Sequence, residues 1–225
     1  MPRPRLRRLD FQDFPPPRFQ NPAALPGPGD WKLWRPTVSC WETGLESLDR
    51  ADLLRRVEEL DGSLFLELET PGEDDLKKEL APLVRPLPGP PLRLARAVRR
   101  PGPARLRLGR AEPCLPPAGL HHATCLHTWG PAASRWREDL RACLEDQECL
   151  GEGPVHLVMS WRCQSLQNWV ELWRPTGDAL GPVLGVRHHP MRPRLDRVDC
   201  LELNLSLDDR LGMAVDVGLW WGLRV

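Results

Sequence analysis

Apolar positions after Ser47 fall first on a helical period. In SLDRADLLRRVEELDG, Leu48, Leu53, Leu54, Val57 and Leu60 share one face and Gly62 follows as a stop, which predicts a helix. The period then shortens to two. SLFLELET (63–70) sets Leu64, Leu66 and Leu68 against polar neighbours, as a half-buried strand does. Thr70-Pro71-Gly72-Glu73 has the form of a capping box with proline at the first helical position, opening a short helix over DDLKKELAPLV. Upstream, WKLWRPTVSCW places Trp31, Leu33, Val38 and Cys40 in extended sequence.

Downstream of residue 119 strands predominate. GLHHATCLHTW is extended, and PAASRWREDLRACLEDQECLG is a helix with Pro131 early and Gly151 at its end. Trp136, Leu140, Cys143 and Leu144 share its apolar face. VHLVMSW, NWVELW, PVLGV, VDCLELNLSL and GMAVDVGLWWGLRV are strand candidates, with TGDALG and SLDDRLG as turns. For 92–108 two readings stay open. The spacing of Arg93, Arg96 and Arg100 suits a helix, and the Pro101-Gly102-Pro103 turn between two Leu/Arg runs suits a hairpin. No internal repeat is visible. The pattern predicts a mainly β (α+β) fold, an antiparallel β-sandwich with two or three short helices. Residues 1–30 are a Pro/Arg-rich flexible leader, with Phe11, Phe14 and Phe19 as its apolar anchors. Residues 31–225 are a single domain carrying a charged, Pro/Arg-rich insertion at about 85–118.

Composition narrows the function classes. The chain has 225 residues and 41% hydrophobic content, enough for a core. Its 31 basic and 31 acidic residues cancel, which disfavours a nucleic-acid binder. No run approaches the roughly 18 apolar residues of a membrane span, and the N-terminal run shows no secretory h-region. Seven cysteines, an odd and scattered set without CxxC, predict reduced thiols in the cytosol or nucleus.

The neutral total hides two blocks. Residues 42–84 hold thirteen acids against five bases, and residues 85–110 hold eight arginines and no acid. Two such neighbours are expected to neutralise each other or to stay solvated. Arg93, Arg96 and Arg100 are the candidate phosphate- or anion-binding residues, although no aromatic interleaves with them. Arg85, Pro88 and Pro91 fit the RxxPxxP pattern that SH3-domain proteins bind, against a stiff linker as the plainer reading. His121, His122, Cys125 and His127 cluster, but their spacing matches no short zinc pattern, and a core strand is the simpler account. No nucleophile elbow or phosphate-cradling loop is present, so neither an enzyme nor a cofactor is expected. Ten tryptophans stand with no tyrosine, five of them (Trp161, Trp169, Trp173, Trp220, Trp221) in strand-like sequence where core filling is the usual role.

Several segments, in order, resemble the F-box-associated domain. They are Asn21-Pro22 before Trp31-Lys32-Leu33-Trp34; Thr124-Cys125-Leu126; Trp136-Arg137-Glu138-Asp139-Leu140; Val155 to Val158 with Ser160-Trp161 and then Cys163; NWVELWRPTGDALGPVLGV; and Gly212-Met213-Ala214-Val215 leading to Trp221-Gly222-Leu223-Arg224-Val225. The resemblance covers about 21–34 and 119–225, and it implies a β-sandwich that recognises protein or glycoprotein clients through its end loops, with a tie to the ubiquitin pathway. No F-box is visible. The sugar-binding loop of that family is shortened here to Gly218-Leu219-Trp220-Trp221-Gly222 and lacks its lysine. The resemblance leaves Trp220 and Trp221 as ligand-binding candidates. The expected function is a non-enzymatic protein- or glycoprotein-recognition module; the alternative is an SH3-binding scaffold using the proline motif and the arginine patch.

Overall fold

The computed structural model describes residues 30–72, 75–87, 92–127, 133–164, 169–188, 191–211 and 214–224. The leader anchors, Asn21-Pro22, Glu73, Pro88, Pro91, Pro131 and Gly212-Met213 lie outside the described residues. The chain runs β1 (Leu33–Gly44), α1 (Arg50–Glu59), β2 (Leu64–Thr70), α2 (Leu76–Val84), β3 (Leu92–Arg99), β4 (Arg105–Cys114) and β5 (His121–His127). It continues through α3 (Ala133–Leu144), β6 (Val155–Cys163), α4 (Val170–Asp178), α5 (Gly181–Leu184), β7 (Val186–His188), β8 (Met191–Pro193), β9 (Val198–Leu207) and β10 (Val215–Leu223).

The fold is mainly β, as expected, but its sheet is not purely antiparallel. Eight strands form one sheet in the order β1-β4-β2-β3-β9-β6-β10-β5, and β7 pairs with β8 separately. β2–β3 and β6–β9 are parallel. Parallel neighbours need a crossover, and α2 and α4–α5 supply it. One core therefore joins helix to sheet. Leu53 and Val57 of α1, Leu80 of α2, Trp136 and Leu140 of α3 and Trp173 of α4 pack with Leu66, Leu108, Leu157, Leu203 and Trp221 of the strands.

Several expectations change. Residues 170–173 of NWVELW open helix α4 rather than forming a strand, because Trp169, Leu172, Trp173 and Thr176 repeat on a helical period and all are buried. PVLGV becomes α5 and the start of β7. The cap of α2 is Asp75, whose side chain accepts from Lys77 N, while Thr70 Oγ1 donates to Glu79 Oε2 at 2.8 Å and accepts from Gly72 N. β2 is buried on both faces: Leu64, Leu66 and Leu68 lie in the main core, and the Arg96 and Arg107 side chains meet Glu67 on the other face. Cys143 is exposed, whereas Trp136, Leu140 and Leu144 are buried.

Residues 92–99 and 105–114, set apart above as an insertion, are interior strands of the sheet. They form neither a helix nor a paired hairpin, because β2 lies between β3 and β4. The topology also repeats where the sequence does not. β1-α1-β2-α2-β3-β4 takes the order β1-β4-β2-β3, and β5-α3-β6-α4/α5-β9-β10 takes the matching order β5-β10-β6-β9. The two halves meet along an antiparallel seam, β3 against β9, from Leu94↔Asn204 to Val98↔Cys200.

Opposite the helices, the first residues of β1 reach across to the second half. Trp34 N donates to Asn204 Oδ1 at 2.9 Å, and Trp34 Nε1 donates to the Leu205 carbonyl at 3.1 Å. Trp31 and Leu33 pack with Val158 and Trp220 in a second small core. Gly109 allows β1 to bend over β4, because a Cβ there would lie 2.0 Å from the Val38 carbonyl oxygen.

Candidate functional site

Strand alternation puts one side chain in two on the face away from the helices. Register then builds a row across five neighbouring strands. Glu42 of β1 pairs with Arg107 of β4, which pairs with Glu67 of β2. Glu67 pairs with Arg96 of β3, and Arg96 with Glu202 of β9. Charge alternates at every step. The row continues through Val158 of β6 and Trp220 of β10 to His122 of β5.

The acidic and basic blocks of the sequence thus face each other. Arg96 Nη1 lies 2.6 Å from Glu67 Oε2 and Arg96 Nε lies 3.2 Å from Glu202 Oε1. Arg107 also bonds Glu67, and it lies 3.2 Å from Glu69. Arg100 pairs with Glu69 at 3.3 Å, and Arg105 with Glu42 at 3.4 Å. Burial weakens the Arg96 charge, but Cys200, Glu202 and Glu67 more than offset this and hold the guanidinium firmly protonated.

Two residues along the strands, β6 and β9 bring His156 and Cys200 together as register partners. Glu202 stands two residues beyond Cys200 on the same face. His156 Nε2 is 3.4 Å from Glu202 Oε1, and Cys200 Sγ is 4.0 Å from the same oxygen. Arg96 Nη2 approaches Cys200 Sγ at 3.8 Å. Burial lowers the affinity of the His156 ring for its proton, yet Cys200 and Glu202 outweigh it and raise the group to about 9. The cluster holds a soft sulfur, an imidazole and a carboxylate within reach of one point.

The residues singled out from sequence are distributed otherwise. Trp220 and Trp221 are 1% and 0% exposed, so both ring systems are spent on packing. Trp220 meets Trp31 edge-on at 5.5 Å, and Trp221 stacks on His121 at 5.9 Å. Arg85 is exposed just after α2, and Leu87 beyond it is anchored in the core; Pro88 and Pro91 lie outside the described residues. Arg96 and Arg100 are engaged by carboxylates, while Arg93 lies 5.8 Å from the centre of the Trp34 ring. Of the histidine group, Cys125 is buried in the main core and His122 contacts Thr124 Oγ1 at 2.9 Å. His156, Cys200 and Glu202 were not singled out. Cys200 and Glu202 share a face by simple alternation, but His156 lies far away in sequence and only the β6–β9 register joins it to them.

No protein-family model matches the chain, and no curated protein matches it.

Proposed function

We propose that the chain is a non-enzymatic protein-recognition module that takes an extended client segment along the outer edge of β5. The observation that carries this reading is the contrast between the two ends of the sheet. β1, at one end, is interrupted by Pro36 and by two register shifts, devices that discourage a further strand. β5, at the other end, pairs with β10 in unbroken register from His121 to His127. Its sequence HHATCLH has no proline, lysine or arginine. Such an edge suits strand addition, in which main-chain hydrogen bonds give affinity and alternate side chains give selectivity. Protein clients fit better than glycans, because the Trp220 and Trp221 rings are buried. The reading keeps the recognition role implied by the F-box-associated resemblance and moves the contact from the end loops to a sheet edge.

The test begins with capture of clients by the tagged chain and mass spectrometry. A bound client should slow amide exchange in 121–127. Its capture should fall in His121→Lys, which places a charge on this edge, and persist in Val38→Lys on the exposed part of β1. Capture that is indifferent to His121→Lys, with no protection of β5, would overturn the proposal.

A further inference from the structure

We infer that His156, Cys200 and Glu202 form a zinc-binding site. Their ligand atoms all lie within 4.8 Å of one another, and none is fixed elsewhere by a backbone bond among the described residues. Ligands of a tetrahedral zinc, bound at roughly 2.0–2.3 Å, sit about 3.3–3.8 Å apart. The separations of 3.4 Å for His156–Glu202 and 4.0 Å for Cys200–Glu202 are close to that spacing. Small side-chain rotations on two rigid neighbouring strands would close the cradle.

The donor set selects the metal. Thiolate and imidazole favour zinc over magnesium or calcium, which prefer oxygen alone. A second observation points the same way. His156 Nε2 is buried and faces this cluster, 3.4 Å from Glu202 Oε1 but without a well-formed hydrogen bond. The side chains of His156 and Glu202 keep 24% and 18% exposure, which leaves an ion a way in. Three protein ligands leave the fourth position to water.

Arg96 is the obvious objection, since a guanidinium beside a dication is repulsive. Its charge and that of Arg107 are met by three carboxylates, Glu67, Glu69 and Glu202. Binding also deprotonates Cys200, which adds a negative charge next to the metal. Arg96 Nε lies 3.2 Å from the same Glu202 oxygen and so orients this carboxylate, as partners of metal ligands commonly do.

The experiment is a titration of the metal-stripped, reduced full chain with Co²⁺, followed by Zn²⁺. One equivalent of cobalt should produce the visible bands of a tetrahedral site together with a thiolate-to-cobalt charge-transfer band, and zinc should erase both. Cys200→Ser should abolish the charge-transfer band. His156→Gln should weaken binding by more than the ~10–100-fold cost of losing a residue that merely orients a ligand. Cys125→Ser and Cys143→Ser should leave the spectrum unchanged. Circular dichroism checks that each stripped variant is folded, and Glu202→Gln, at a part-exposed position, replaces Cys200→Ser if that variant unfolds. Absence of a thiolate band in the native chain would overturn the assignment. So would a spectrum that survives in a folded variant lacking one of the three ligands.

Discussion

Glu67 and Arg96 are register partners on adjacent parallel strands, and the Glu67 side chain is 1% exposed with its Oε2 2.6 Å from Arg96 Nη1. Arg107 holds the other carboxylate oxygen from β4. Glu67→Gln leaves two guanidinium groups without their shared counter-charge. Breaking a buried pair in this way costs about 3–5 kcal/mol. Glu42→Gln, at a half-exposed pair with Arg105, should cost no more than about 1 kcal/mol. Urea unfolding of the two variants checks the ranking, and equal costs would contradict the buried role of Glu67.

Thr176 ties two tryptophans to one helix. Its hydroxyl accepts from Trp136 Nε1 at 3.1 Å and Trp161 Nε1 at 3.3 Å, and donates to the Leu172 carbonyl at 2.7 Å. Thr176→Val keeps the shape and strands two buried indole N–H groups. Each unsatisfied donor costs about 1–3 kcal/mol, so a total of roughly 2–6 kcal/mol is expected. Thr176→Ser should recover most of it. Thermal unfolding gives the cost, and near-ultraviolet circular dichroism reports the tryptophan environment.

Salt should separate the outer ion pairs from the inner ones. The half-exposed Glu42–Arg105 pair is open to screening, whereas Glu67 is sealed. Raising ionic strength to 0.15 M shortens the screening length to about 8 Å. Amide exchange should then speed up around 42–44 and 105, while 66–68 stays unchanged. Uniform acceleration across 42–110 would place the charge row nearer to solvent than its burial implies.

Arg210 beside Asp208 holds that carboxyl at about 2, below its ordinary 3.8, with burial working against it. A carboxyl whose folded value is depressed contributes stability above its unfolded value and loses it as pH falls through the folded one. The stability gap between the native chain and Asp208→Asn should be full above about pH 4 and close as the pH falls towards 2. Unfolding midpoints measured across that range decide it; a gap that persists at pH 2 would show that the contribution is not ionic.

The sequence made part of this legible. α1, β2, α3, β6, β9 and β10 stand where periodicity put them, because each has one strong apolar period and a clear break after it. The charge blocks were visible too, and alternation alone put Glu67 and Glu69 on one face. What hid α4 was composition: Trp169, Val170 and Trp173 carry strand propensity, and only the return of an apolar or small residue at Thr176 marks the helix. β3 and β4 were disguised by their arginines, which look like surface until their carboxylate partners are located. The His156–Cys200–Glu202 cluster depends on a parallel register between strands far apart in sequence, which no local pattern encodes.

The reach of β1 across the sheet has a consequence for synthesis of the chain. Trp34 is made early among the described residues, yet its hydrogen-bond partners Asn204 and Leu205 follow 170 and 171 residues later. Until then β3 also waits with Leu94–Val98 unpaired on the side that β9 will occupy. A nascent first half therefore displays an apolar sheet edge and two uncovered indoles for most of translation. Such a surface is prone to aggregate and is the kind that chaperones hold. Completion of β9 and β10 removes it in one step, so productive folding of the first half is tied to strands made long after it.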